Sequence, residues 1–161
     1  MKSIIYTIIV ILLLACEGSV SKKDWSSDKV EQDATKMLYE YHAAIAKDGL
    51  TAEFRYLDNS ENFFWVPPGY SSKLNYDSVQ KILVENALAF TSIDLKWDAL
   101  EVFPISEEIA TYSGIVLGQM TDTSGQISET AIIESGTLIK RKDGWKVLSG
   151  QSAVLADHLP E

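Results

Sequence analysis

The sequence predicts an α+β domain in which leading helices are followed by a curved antiparallel sheet. Three observations predict it. Apolar residues recur at spacings of three and four up to about residue 90, they alternate with polar residues beyond residue 92, and two turn signals divide the second half into long strands. The 161 residues and 46% hydrophobic content suit one domain with a real core.

From Asp28 to Lys47 the apolar residues Val30, Ala34, Met37, Leu38, Tyr41 and Ile45 form one helical stripe. Asp28 and Glu31 read as a capping box, and Gly49 as the stop. A short second helix is expected from Thr51, as N-cap, through Leu57. Asn62 to Val66 reads as a short strand ended by Pro67-Pro68-Gly69, because proline continues neither helix nor ladder. A third helix is expected from Asp77 to Phe90, with Val79, Ile82, Leu83, Asn86, Ala87 and Phe90 at helical spacing. Then Ile93, Leu95 and Trp97 alternate with Asp94, Lys96 and Asp98, and the parity shift to Leu100 and Val102 predicts a bulge near Ala99. Further strands are expected at about 108–120, 127–141 and 145–155, joined by turns at 121–125 and at Lys142-Asp143-Gly144, an Asp-Gly pair suited to positive φ.

The first residues read as an address. Met1 and Lys2 precede a run of about a dozen mostly apolar residues that stops at Ala15-Cys16, the pattern of an exported leader and too short for a membrane-spanning helix, which needs about 20. Leu13-Leu14-Ala15-Cys16 resembles the bacterial lipobox, which implies a leader at 1–15, lipidation of Cys16 and a protein of the bacterial cell envelope held to the membrane by that lipid. Several acyl chains anchor stably because each buried methylene contributes about 0.8 kcal/mol. The polar stretch to residue 27 then reads as a linker, 28–155 as the folded domain and 156–161 as a tail.

Charge and composition exclude other classes. The formal charge of −9 opposes nucleic-acid binding. One Cys and two His cannot form a four-ligand zinc site from nitrogen and sulfur alone, so no metal is expected. Neither a nucleotide-binding glycine loop nor a GxSxG elbow is present, and no cofactor is expected.

Val66-Pro67-Pro68-Gly69, Leu95-Lys96-Trp97-Asp98, Glu108-Ile109-Ala110-Thr111-Tyr112-Ser113-Gly114 and Lys142-Asp143-Gly144-Trp145-Lys146-Val147, in this order of elements, resemble the nuclear transport factor 2-like superfamily and its SnoaL-like branch. The resemblance implies a cone-shaped sheet wrapped around the first helix, an apolar cavity at its open end and, often, a homodimer through the outer sheet face. The last strand of the family frequently carries His before Ser; here the stretch is Ser149-Gly150-Gln151-Ser152. Gln151 can orient a ligand but cannot shuttle a proton near neutral pH as imidazole can.

Relatives that act as isomerases and cyclases use a cavity carboxylate as general base with a phenol or acid opposite. Asp94, Asp98, Glu101 and Glu134 are the carboxylates to weigh, with Tyr41, Tyr56 and Tyr112 as donors. Asp94 and Asp98 share a polar strand face and read as solvated. Glu134 interrupts an apolar run and faces with Ile132, Gly136 and Leu138, so Glu134 with Tyr112 is the candidate catalytic pair. Tyr41, Tyr56, Trp65, Trp97 and Gln151 are candidate ligand contacts, with Trp145 either wall or core and His42 on the flank of the first helix facing the cone mouth. Two functions fit: a tethered module that binds a small apolar or amphipathic ligand or a protein partner, and an isomerase, cyclase or dehydratase-type enzyme. A second cavity acid is not evident in the sequence.

Overall fold

The computed structural model describes residues 25–156. The leader, Cys16, the linker up to residue 24 and the tail from residue 157 lie outside the described residues. Helix α1 spans Ser27–Asp48. Its N-cap is Ser26, whose hydroxyl accepts from Lys29 N–H, so the expected Asp28–Glu31 capping box is not the cap and Asp28 instead lies in the first turn beside the helix dipole. Val30, Ala34, Met37, Leu38, Tyr41, His42 and Ile45 form the buried stripe of α1. Gly49 follows with φ +84°, and its N–H bonds Ile45 O.

The expected short helix is a 3-10 helix, Leu50–Arg55. It is fastened to the last strand: Val147 N–H donates to Tyr56 O at 2.7 Å and Asp58 N–H to Val147 O at 2.8 Å. Strand β1, Phe64–Val66, is shorter than expected, and Trp65 exchanges two backbone hydrogen bonds with Leu74 across the Pro67-Pro68-Gly69 loop. Helix α2 spans Tyr76–Ala87 with Asn75 as N-cap. Phe90, expected at the helix end, opens strand β2 instead, since α2 stops at Leu88.

Strands β2 (Phe90–Pro104), β3 (Ile109–Asp122), β4 (Ile127–Arg141) and β5 (Gly144–Val154) form an antiparallel meander, and β1 adds in parallel to β5, giving the order β1-β5-β4-β3-β2. The sheet is curved and does not close. The expected bulge is present between Trp97 and Ala99. Gly144 has φ +122°, as the Asp-Gly turn requires.

The inner face of the sheet packs on α1. Ala110, Tyr112 and Val116 of β3, Leu138 of β4 and Trp145 and Val147 of β5 are buried there. Two inner-face glycines make room for rings on the neighbouring strand. A Cβ at Gly114 would lie 2.7 Å from the Trp97 ring, and one at Gly136 would lie 2.9 Å from the Tyr112 ring. Below the rim, Arg141 grips Asp58 through Nε and Nη2, both at 2.7 Å, and Ser60 Oγ donates to the same carboxylate, tying the loop after the 3-10 helix to the β4–β5 hairpin.

Candidate functional site

A cavity of about 380 Å³ lies between the inner face of the sheet, α1, the 3-10 helix and α2. Leu57, Phe63, Trp65, Val79, Leu83, Phe90, Ile93 and Ile132 give it apolar walls. The titratable groups in the walls sit on four different elements. Tyr41 and His42 come from α1, Glu53 from the 3-10 helix, Tyr112 from β3, and Glu134 from β4. Asn86, Thr130 and Ser152 complete the polar lining. No lysine or arginine is among these lining residues.

Glu134 faces inward because it shares parity with Ile132 and Leu138, and it is 8% exposed. Tyr112 Oη donates to Glu134 Oε1 at 2.6 Å. The register sets this contact, since Tyr112 pairs with Gly136 and the missing side chain lets the ring lie over β4 toward Glu134. Burial pushes the Glu134 carboxyl up from 4.5 to about 7, outweighing the Tyr112 hydrogen bond, which acts the other way. Burial, then the nearby Glu134 charge, raises the Tyr112 phenol well above its usual value, so Tyr112 stays a donor.

A second pair has the same form. Tyr41 Oη donates to Glu53 Oε2 at 2.7 Å. Burial pushes Glu53 up from 4.5 to about 7; the Tyr41 bond opposes this and repulsion from Glu134 adds to it. Glu53 was not among the sequence candidates. The signal available was an acid between Ala52 and Phe54, directly after the stop of a long amphipathic helix. Spacing alone does not reveal that the clamp on Val147 turns this helix over the open end of the sheet.

A row of rings joins the pairs. Tyr41 lies 5.3 Å from His42, His42 stacks on Trp97 at 4.7 Å and 19°, and Trp97 meets Tyr112 edge-on at 6.0 Å. His42 is buried and its Nδ1 has no hydrogen-bond partner; desolvation lowers the imidazole to about 4, so it is neutral at physiological pH.

The remaining candidates divide. Trp65 lines the cavity. Trp97 does not line it but backs its wall, stacked on His42 and donating through Nε1 to Leu38 O at 3.4 Å. Tyr56 packs on Tyr41 at 5.4 Å and is not a lining residue. Gln151 is turned away from the cavity, and Ser152 takes the inward position opposite Glu134. The cause is a second bulge. Leu138 pairs with Val147 but Thr137 pairs with Ser149, so Leu148 is extra and every side chain beyond it changes face. Asp94 is paired with Lys96 at 2.6 Å and, like Asp98 and Glu101, is absent from the cavity lining. Trp145 is core, with Lys140 Nζ 5.7 Å from its ring centroid.

A curved five-stranded sheet over N-terminal helices, open at one end on an apolar cavity, is the nuclear transport factor 2-like, or cystatin-like, fold. Solved structures of that class match over most of this chain. A nuclear transport factor 2-like superfamily protein from Salmonella enterica serovar Typhimurium superposes with a TM-score of 0.68 at 17% identity, covering 82% of this chain and 95% of its own. A candidate scytalone dehydratase from Novosphingobium aromaticivorans gives 0.66 at 13% identity, covering 81% and 88%. The CaMKII hub from S. rosetta gives 0.61 at 15% identity, covering 78% and 96%. At these identities the likeness establishes the fold and leaves the function to the site. No family model matches the sequence, and no curated protein matches it.

Proposed function

We propose that this chain is a cell-envelope protein, anchored through lipidated Cys16, whose cavity binds a small apolar or amphipathic molecule and transfers a proton on it, as an isomerase or dehydratase does. The observation that carries the reading is the presence of two phenol-capped carboxyls in one apolar cavity. Two acids that repel each other in a desolvated space lose their protons in two steps. Near neutral pH the singly protonated state offers one general base and one general acid together, the combination that shifting or eliminating a group next to an acidic C–H requires. The candidate scytalone dehydratase with the same fold is consistent with such chemistry.

A thermal-shift screen with single-ring ketones, small polyketide-like phenols and short-chain amphiphiles supplies bound molecules, which are then incubated with the protein in D₂O and followed by NMR. The reading expects solvent deuterium in the ligand or loss of water from it, with Glu134→Gln binding the ligand but exchanging at least 100-fold more slowly. Ligands that bind without exchange or elimination in the native protein favour the second reading, binding without chemistry. One observation supports that reading: both carboxyls already accept a phenol, and the one imidazole in the wall is held neutral.

For the anchor, metabolic labelling with palmitate is expected to mark the native protein and not Cys16→Ser; equal labelling of both removes it. The outer face of β3, β4 and β5 carries Ile115, Leu117, Ile133 and Ala153 among Ser113 and Ser135, with Leu117 41% and Ile133 43% exposed. This uncharged patch supports a homodimer through that face. Sedimentation of Ile133→Lys as a monomer beside a dimeric native protein is the expected result.

A further inference from the structure

We infer that the occupant of this cavity carries a protonated amine on a compact apolar body, the ammonium lying beside the Glu53–Tyr41 and Glu134–Tyr112 pairs. The inference rests on the same site as the proposed function and names the class of molecule it takes.

Each glutamate accepts one phenolic O–H, and a carboxylate has room for more. Both wall phenols are engaged in these bonds, and no lysine or arginine lines the cavity. His42 adds an unpartnered ring nitrogen in a residue only 4% exposed. The free donors of this wall are confined to neutral groups, the Asn86 amide and the Thr130 and Ser152 hydroxyls, while the two carboxyls supply acceptors that can carry charge. An occupant that brings N–H donors complements it, whereas a carboxylate or phosphate would meet two acids and no cation.

Every titratable group facing the site is anionic or neutral: Glu53 from the 3-10 helix, Glu134 from β4, Tyr41 and His42 from α1, and Tyr112 from β3, while α2 and β5 contribute the uncharged Asn86 and Ser152. A cation relieves the repulsion between the two glutamates, and it does so in a space where water screens little. The formal charge of −9 draws cations toward the protein as a whole. Phe63, Trp65 and Phe90 offer apolar and π surface to the rest of the molecule. A cavity of about 380 Å³ lies at the small end of the range for ligand sites and suits one ring or a short branched chain.

The test is calorimetric titration of the purified full chain with cyclohexylamine, cyclohexanol and cyclohexanecarboxylate at pH 6 and pH 8. Burial raises both carboxyls to about 7 while the free amine stays protonated throughout, so ionisation of the glutamates between these pH values strengthens only the amine. The expected result is a gain of at least tenfold in amine affinity from pH 6 to pH 8, no change for the alcohol, and no binding of the acid. Glu53→Gln and Glu134→Gln each lose tenfold or more for the amine at pH 8, and an unchanged far-ultraviolet circular dichroism spectrum reports that the variants fold. Where a variant does not fold, the pH series on the native protein decides alone. Equal affinity of amine and alcohol at pH 8, or preference for the acid, overturns the inference. Deuterium exchange on any ligand is read separately, so the amine can fail while proton transfer stands, and the reverse.

Discussion

Replacing Glu134 by Gln keeps an oxygen for the Tyr112 hydroxyl and removes the ionisable group. The consequence for stability can be worked out from the buried carboxyl. Folding raises the Glu134 pKa from 4.5 to about 7, so the folded protein holds this proton more tightly than the unfolded chain does. The stability this gives is fully present below 4.5 and is lost as pH rises through about 7. At about 1.36 kcal/mol per pKa unit, the native protein loses about 3 kcal/mol from this group between acid and pH 8, an order-of-magnitude figure. Glu134→Gln has no such loss. Any fixed cost of burying the amide is equal at both pH values and cancels in the comparison. Urea denaturation of both proteins at pH 5 and pH 8 measures the effect. Relative to native, the variant gains about 2–3 kcal/mol on going from pH 5 to pH 8, or roughly 5–10 °C in Tm for a domain of this size. Stability curves that run parallel at both pH values refute the burial argument and with it the acid–base reading of Glu134.

Asp58→Asn removes the bidentate Arg141 contact; because Arg141 is itself 38% exposed, the loss is roughly 1–3 kcal/mol in urea melts at pH 7. The Arg141 hydrogen bonds hold the Asp58 carboxyl below 3.8, so its stabilisation is present above 3.8 and lost as pH falls through the lower folded value; a variant that retains the full acid sensitivity of the native protein contradicts this. Gly136→Ala pushes a methyl to within 2.9 Å of the Tyr112 ring and 2.5 Å of Ser149 O, and costs about 1–3 kcal/mol together with a change in the near-ultraviolet circular dichroism of the aromatic row; unchanged stability and spectrum contradict the packing described.

Much of this architecture was legible in the sequence because it depends on period. The stripe Val30 to Ile45 and the inward row Ile132, Glu134, Gly136, Leu138 repeat at fixed intervals, and a repeat survives without knowledge of tertiary neighbours. Glu134 could be singled out for the same reason, as an acid on an otherwise apolar strand face. Gln151 could not be oriented, because the extra residue Leu148 reverses parity and nothing in Val147-Leu148-Ser149 announces a bulge. Glu53 was hidden for a different reason. Its orientation depends on the hydrogen bonds that Val147 donates to Tyr56 O and accepts from Asp58 N–H, some ninety residues away in sequence, and no local pattern encodes a contact at that distance. Trp97 was expected to touch a ligand and instead braces His42, since inward on this strand means toward α1, and not toward the cavity, at the level of Leu38.

Glu53 and Glu134 share one desolvated space, and the charge of Glu134 acts on Glu53. Carbon-13 NMR titration of the glutamate side-chain carboxyls in ligand-free protein measures this directly. Two resonances that titrate in separate steps near pH 7, with the Glu53 step moving to lower pH in Glu134→Gln, are the predicted result. Titration of both groups at the ordinary value of 4.5, unmoved by the substitution, contradicts it.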